Sequence, residues 1–427
     1  MPSLVVDTTP LRISPAFRRL WFGLSISNLG TQLTVVAVGL QVYDITGSTF
    51  TVGILGLFAL VPLIIFGLYG GAIVDHYDRR KVALYASLVS WAVILVLAIQ
   101  GWADNEHVGL LFALVAVQSG ANAVNAPARS AIIPRLLEPR LMPAANALQA
   151  IGFQTALTVG PLIGAALVAA FDYGLAYTVD FVLFTFALAA VFRLPPVLPE
   201  ASSTRRARVG IGSIVDGLKY LGTQKNVRMT FAVDLIAMVV AMPRVVFPAV
   251  GIWYLGGGAT TTGILTAALA VGAVLSGTFS GGLARVRWQA RVITFAITGW
   301  GLSIVAFGLV LVAVGRDKPD HVLWAALAIA CCTLVAAGGA DEISAIFRQT
   351  ILQTATPDDM RGRLQGVFIV VVAGGPRLGD LWIGSMSEWV GEAWAVVIGG
   401  SLCVVLLWLL VRWQRSFWDY DGRNPVA

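Results

Sequence analysis

The chain has 427 residues, 57% of them apolar and only 12% charged, with 45 glycines and 13 tryptophans. Soluble domains carry about 25% charged residues, so half the usual solvating charge is missing. That balance excludes intrinsic disorder and an ordinary soluble globule, whereas twelve bilayer-crossing helices of about 20 residues each would account for the apolar fraction. A net charge of +6 could suit a nucleic-acid binder. In a membrane protein the placement of charge matters more than its total, and no nucleic-acid partner is expected.

The first 20 residues lack the order of basic region, apolar core and small-residue cleavage site that marks a signal peptide, so the first apolar run is expected to remain as a helix. Hydropathy, read against Gly/Pro punctuation and charge clusters, predicts spans 1–12 near 20–43, 49–74, 82–102, 108–131, 143–170, 174–193, 227–254, 260–284, 292–314, 322–346, 363–389 and 392–412. The longest polar interval carries Pro195, Pro196, Pro199, Arg205, Arg206, Arg208, Lys219 and Lys225. The expected organisation is an all-α polytopic membrane protein: a six-helix bundle over 1–193, a linker over 194–226, a second bundle over 227–412 and a tail over 413–427. With the N-terminus inside, 25 of the 29 basic residues fall in inward segments, Arg316 and Lys318 fall outside, and Arg244 and Arg377 lie within spans. By the positive-inside rule both termini are cytoplasmic.

Along the spans, Asn28, Thr31 and Gln32 fall on one face of span 1, and Gln118, Asn122 and Asn125 lie along span 4. Amides on apolar helices serve either as interhelical glue or as ligand contacts. Trp21, Phe22 and Trp253, near span ends, suit interfacial anchors. Gly53-Ile54-Leu55 in span 2 recurs as Gly263-Ile264-Leu265 in span 8, and Gly70-Gly71 recurs as Gly281-Gly282, each before a short basic loop. Gly160-Pro161-Leu162-Ile163-Gly164 in span 5 matches Gly375-Pro376-Arg377-Leu378-Gly379 in span 11. Together these predict a duplicated six-helix unit. The prolines each remove a helical hydrogen bond and the glycines permit close packing.

Ionisable residues within spans are costly and mark function by default. Arg377 and Asp380, three apart, share a helix face and can neutralise each other. Asp341 and Glu342 sit in span 10, where a carboxylate suits reversible protonation. Asp234 and Arg244 in span 7 are too far apart along the helix to pair directly. Cys331, Cys332 and Cys403 have neither disulfide nor metal spacing and read as small buried hydrophobes. His76, His107 and His321 fall in expected loops, so no metal site and no cofactor is expected. No P-loop occurs, which leaves an ion gradient as energy source and no need for an ATPase subunit.

The segment Gly71-Ala-Ile-Val-Asp75-His76-Tyr77-Asp78-Arg79-Arg80-Lys81 resembles the loop 2–3 signature of the major facilitator superfamily, G-x-x-x-D-[RK]-x-G-[RK]-[RK]. It departs at His76 and Asp78. The span 5 GPxxG resembles the antiporter motif of efflux members, while Val115 stands where many proton-coupled drug exporters place an arginine before Gln118-Ser119-Gly120. Ala241-Met-Pro-Arg244-Val-Val-Phe-Pro248-Ala249 and Leu352-Gln353-Thr354-Ala-Thr-Pro357-Asp-Asp-Met360-Arg-Gly-Arg363 are similar to the drug:proton antiporter-3 and enterobactin-exporter branch.

The resemblance implies two pseudo-symmetric six-helix bundles, with spans 1, 4, 7 and 10 lining a cavity and Asp180, on peripheral span 6, structural. It implies a gating latch at Gly71, Asp75, Asp78, Arg79, Arg80 and Lys81, asymmetric because Arg285 stands opposite Asp75 in the second half. The expected function is proton-coupled efflux of an amphiphilic small molecule, drug-like or siderophore-like, by a single-copy transporter in a bacterial cytoplasmic membrane. An importer or facilitator of an organic nutrient is the alternative, and an intramembrane lipid-acting enzyme a remote one.

Overall fold

The computed structural model describes residues 7–104, 106–195, 219–279 and 286–423. Among them there is no β-strand. Hydrocarbon offers no hydrogen-bonding partner, so each crossing segment must satisfy its own backbone, and helices result. A short helix Thr9–Ile13 precedes span 1, Pro15–Thr46. Spans 2 to 6 follow as Thr49–His76, Arg79–Trp102, Val108–Leu136, Met142–Ala170 and Tyr173–Phe192. Span 7 is broken into Lys225–Val240 and Phe247–Trp253, and spans 8 to 12 are Gly258–Thr278, Gln289–Val314, Trp324–Thr354, Asp358–Val390 and Glu392–Trp413. Eleven of these spans are long and apolar enough to cross a membrane among the described residues. The exception, span 11, has the length but carries more charge than the rest. Phe186, Trp394 and Leu409 are at least half exposed, the reverse of a soluble protein and what a lipid-facing surface requires.

Residues Met1–Gln41 and Phe58–Gly210 form one compact unit, and Val42–Leu57 with Ile211–Ala427 form another. In the first unit, span 3 packs against spans 4 and 6. Spans 1, 3 and 6 are joined by a closed polar cluster. Gln41 and Gln100 exchange amide hydrogen bonds at 3.2 and 3.1 Å, and the Tyr177 hydroxyl donates to Gln41 Oε1 at 2.7 Å. Thr34 Oγ1 donates to Asp180 Oδ2 at 2.5 Å, and a Cβ at Gly30 would meet Asp180 Oδ1 at 2.0 Å, so only glycine there admits the carboxylate between spans 1 and 6.

In the second unit the core gathers around Trp300, Phe247 and Phe307, the last two edge-on at 5.9 Å. Spans 8 and 10 touch backbone to backbone, since a Cβ at Gly272 would lie 2.0 Å from the Val335 carbonyl oxygen and one at Gly338 1.9 Å from that of Leu269. Such close crossings replace the hydrophobic drive that lipid cannot provide. The turn between spans 1 and 2 also belongs to this unit. Ser48 donates to Glu388 at 2.6 Å, and Cβ atoms at Gly53 and Gly56 would lie 2.5 and 3.0 Å from carbonyl oxygens of Asp380 and Arg377 on span 11. Gly391, at φ 79°, reverses the chain between spans 11 and 12. It delivers the buried Glu392 to Thr49 and Tyr254, both at 3.2 Å, and to Arg316 at 3.6 Å.

Beyond span 12, the short helix Arg415–Trp418 folds back so that Phe417 and Tyr420 are buried. Arg287 donates to Asp421 through Nε at 3.0 Å and Nη2 at 2.8 Å, and Arg291 lies over the Trp288 and Trp418 rings at 4.5 and 5.3 Å. The Arg287 hydrogen bonds, then the Arg423 backbone amide, hold the Asp421 carboxyl below its ordinary value of 3.8. A lowered carboxyl stabilises docking above its unfolded value and loses that contribution as pH falls through the folded one. Hydrogen-exchange protection of residues 415–423 should therefore hold from pH 7 down to about 4 and fall below it. Asp421→Asn should lower protection already at neutral pH. Protection indifferent to acid and to Asp421→Asn would contradict the clamp.

Candidate functional site

Two arginines assigned to loops by charge counting lie instead buried inside helices. Arg348, 4% exposed, sits in span 10, and Arg129, 7% exposed, in span 4. To Arg244 and Arg377, the two basic residues expected within spans, the structure thus adds these two buried ones. Counting rules read any basic residue beside a loop as solvated; span 10 continues past its expected end to include Arg348, and Arg129 lies inside span 4 near its inner end.

Arg348 closes two ion pairs in the second unit. Its Nη1 lies 2.9 Å from Asp234 Oδ1 on span 7, and its Nη2 donates to Asp341 Oδ1 at 3.3 Å, seven residues back on the same face of span 10. Asp234 is therefore tied to span 10 rather than to Arg244, and Asp341 is an ion-pair member. Glu342, next in the chain, is half-buried and closes no ion pair among the described residues, although it feels the charges of Asp341 and Arg348.

Span 7, expected as one helix, breaks at Ala241-Met242-Pro243. Pro243 has no N–H to donate, and a 3-10 turn over Arg244–Val246 restarts the chain. Arg244 is exposed between buried neighbours on that turn. Arg377 and Asp380 on span 11 lie within electrostatic reach of it, yet no salt bridge closes among the three in the described residues. The GPxxG motifs do the same packing job in each unit. Cβ atoms at Gly160 and Gly164 would meet Gln32 Cβ at 2.6 Å and the Leu33 carbonyl oxygen at 2.8 Å on span 1; one at Gly379 would meet the Met238 carbonyl oxygen at 2.2 Å, just before the break in span 7. Gly375 faces Met238 Cβ at 3.1 Å. Spans 5 and 11 stay helical through Pro161 and Pro376.

At the expected latch, Asp78 caps span 3 by accepting from Arg80 N at 3.0 Å. Arg79 donates to the Ala131 carbonyl at 3.2 Å and Arg80 to that of Phe192, whose ring its guanidinium also covers at 5.8 Å. Lys81 is exposed. The side chains at Gly71, Asp75 and His76 lie outside the described residues, as do Pro196, Pro199, Arg205, Arg206, Arg208, Gly281, Gly282 and Arg285.

The first unit holds a cavity of about 480 Å³, of the size that takes small molecules, lined by Trp21, Asn28, Thr31, Asn122, Asn125 and Arg129 with neighbouring serines, Gln149 and Phe153. Four of the six expected polar cavity residues thus come together. Gln32 is packed under Gly160 instead, and Gln118 does not line the cavity. Trp21 is corrected from anchor to cavity wall, its indole donating to the Leu148 carbonyl at 2.9 Å. Phe22 is 51% exposed, and Trp253 lies under Arg316 at 5.5 Å. Cys332 is exposed rather than buried; Cys403 is buried.

The sequence profile of the family described as transmembrane secretion effector matches residues 6–425. The enterobactin exporter EntS of Citrobacter koseri is 26% identical, the alignment covering 97% of this chain and 96% of that protein. EntS of Escherichia coli O157:H7 is similar to the same extent, at 26% over 97% and 96%. Among solved structures, the nucleoside transporter NupG superposes with a TM-score of 0.70 at 13% identity, over 95% of this chain and 99% of that one. A bacterial homologue of the iron transporter ferroportin, in an inward-facing state, gives 0.65 at 13% over 94% and 98%. These structural likenesses establish the fold, an all-α major facilitator architecture.

Breaking the Arg348 network should separate its members by burial. Arg348→Gln leaves Asp234, 3% exposed, without a counter-charge and should cost about 3–5 kcal/mol. Asp341, 29% exposed, is partly screened, and Asp341→Asn should cost under about 1 kcal/mol. Unfolding midpoints in one detergent would check the order; an Asp341→Asn loss equal to that of Arg348→Gln would contradict it.

Proposed function

Proceeding from a chain that belongs to the transmembrane secretion effector family of the major facilitator superfamily, and so from a multi-pass membrane transporter, we propose proton-coupled export of an amphiphilic small molecule by alternating access. Enterobactin export by the similar EntS proteins supports a siderophore-like or drug-like cargo. The placement of basic residues supports cytoplasmic termini in a bacterial inner membrane, and we take the transporter to act as a single chain.

The observation that carries the coupling is the unequal treatment of three acids. Arg348 takes Asp234 and Asp341 into ion pairs and leaves Glu342 half-buried beside them without one. A proton carrier must exchange its charge without dismantling the fold, and Glu342 meets that condition better than its paired neighbours. Asp380, with Arg377 and the exposed Arg244 near it at the break in span 7, is the second candidate. Discontinuous helices of this kind commonly supply binding-site backbone in transporters. The seam where Gly53 and Gly56 lie against span 11 is made of small contacts, and its parting is the opening step we assign to the turn between spans 1 and 2. The GPxxG packing on spans 1 and 7 would guide that motion in each unit.

The test is uptake into inverted vesicles from cells expressing the protein, with a panel of antibiotics, dyes and siderophores. A proton gradient should drive accumulation, and a protonophore should abolish it. Glu342→Gln should lose gradient-driven accumulation at least tenfold while retaining exchange of labelled for unlabelled cargo. Accumulation that survives the protonophore would sink the antiport reading.

A further inference from the structure

Among the described residues, the cavity of the first unit is lined by one ionisable side chain, Arg129, and no counter-ion meets it. Arg129 donates from Nη2 to Ser87 Oγ at 3.1 Å, its Nε has no hydrogen-bond partner, and no carboxylate reaches it among the described residues. Asn125 Nδ2 donates to the same Ser87 oxygen at 3.1 Å, which leaves Asn125 Oδ1 unpartnered. Arg348, buried as deeply in the other unit, is given two acids. A guanidinium presents a planar fork of donors that matches a carboxylate, and an uncompensated one at this depth is costly. The rest of the wall divides into amides, Asn28, Asn122 and Gln149, and aromatic rings, Trp21 and Phe153.

Resting on the reading of the chain as an exporter of amphiphilic molecules, we propose that this cavity binds an organic monocarboxylate, its acid group on Arg129 and its apolar body between Trp21 and Phe153. The ligand is then the missing counter-ion: it neutralises the guanidinium from the cavity side, while the amides take its remaining polar atoms. An amine of the same shape would add a second cation to the cavity, and a primary amide would bring no charge.

The experiment uses the full chain in phosphatidylcholine nanodiscs, where no anionic lipid competes, and reads tryptophan quenching by 1-naphthoate, 1-naphthamide and 1-naphthylmethylamine. Naphthoate should bind at least tenfold more tightly than naphthamide, and the amine least. Arg129→Gln should erase the preference for the acid, whereas Arg129→Lys should keep a weaker one; the same quenching with Trp21→Phe should fall. Equal binding of acid and amide by the unaltered protein would overturn the proposal, whether or not the Arg129 variants fold. So would a preference that persists in Arg129→Gln. Gradient-driven uptake of a neutral dye into vesicles without any naphthoate preference would remove the carboxylate site and leave export standing. Naphthoate preference without transport of any compound would do the opposite.

Discussion

A charge taken into hydrocarbon finds no water to solvate it, so whatever balances it must come from the protein or from a ligand. The arrangement of the polar groups in this molecule depends on that constraint. Gln41, Gln100 and Tyr177 satisfy one another across three helices. Thr34 bonds Asp180 in the space that Gly30 leaves. Arg348 draws Asp234 and Asp341 to itself and joins spans 7 and 10. Set against the ion-paired Arg348, Glu342 and Arg129 close no ion pair among the described residues, one in each compact unit, and buried Asp180 has only the Thr34 hydroxyl.

The same absence of water removes the hydrophobic drive between helices, and glycine supplies the replacement by letting backbones touch. The contacts are reciprocal where spans 8 and 10 cross at Gly272 and Gly338, and they repeat between units where each GPxxG seats its glycines on the first span of its own half. Packing and duplication thus converge: the motif that marks the repeat in the sequence is also the surface by which spans 5 and 11 hold spans 1 and 7. A break in span 7 beside that contact puts an exposed Arg244 on irregular backbone within electrostatic reach of Arg377 and Asp380. Span 1, its counterpart, remains a single helix.

Span positions were readable in the sequence because hydropathy and the basic loops report directly on bilayer crossing, and observed helix ends lie within a few residues of expectation except where helices run on into the polar region. That extension takes in Arg348, whereas Arg129 falls within the expected span 4 and is placed in the loop only by counting it with its basic neighbours. Spacing could have found Arg348, which follows Asp341 by seven residues, two helical turns on the same face. Arg129, among Ala-Pro-Ala before it and Ser-Ala-Ile-Ile after it, already stood in surroundings too apolar for a loop. The break at Met242-Pro243 left no mark in hydropathy, because its residues are apolar whether or not they are helical. Asn28, Asn122 and Asn125, with the Thr31 hydroxyl, are legible as cavity lining because polar side chains on an apolar helix have few other reasons to be there. Gln32 fails the same argument because only the packing of Gly160 reveals which side of span 1 it occupies.

The central claim is that the protein balances Arg348 internally and keeps Arg129 for its cargo. It is tested most directly by an experimental structure with a transported carboxylic acid bound. The account predicts the carboxylate within hydrogen-bonding distance of the Arg129 guanidinium, with Arg348 still between Asp234 and Asp341. A bound acid elsewhere, with Arg129 closed onto a carboxylate of the chain itself, would contradict it.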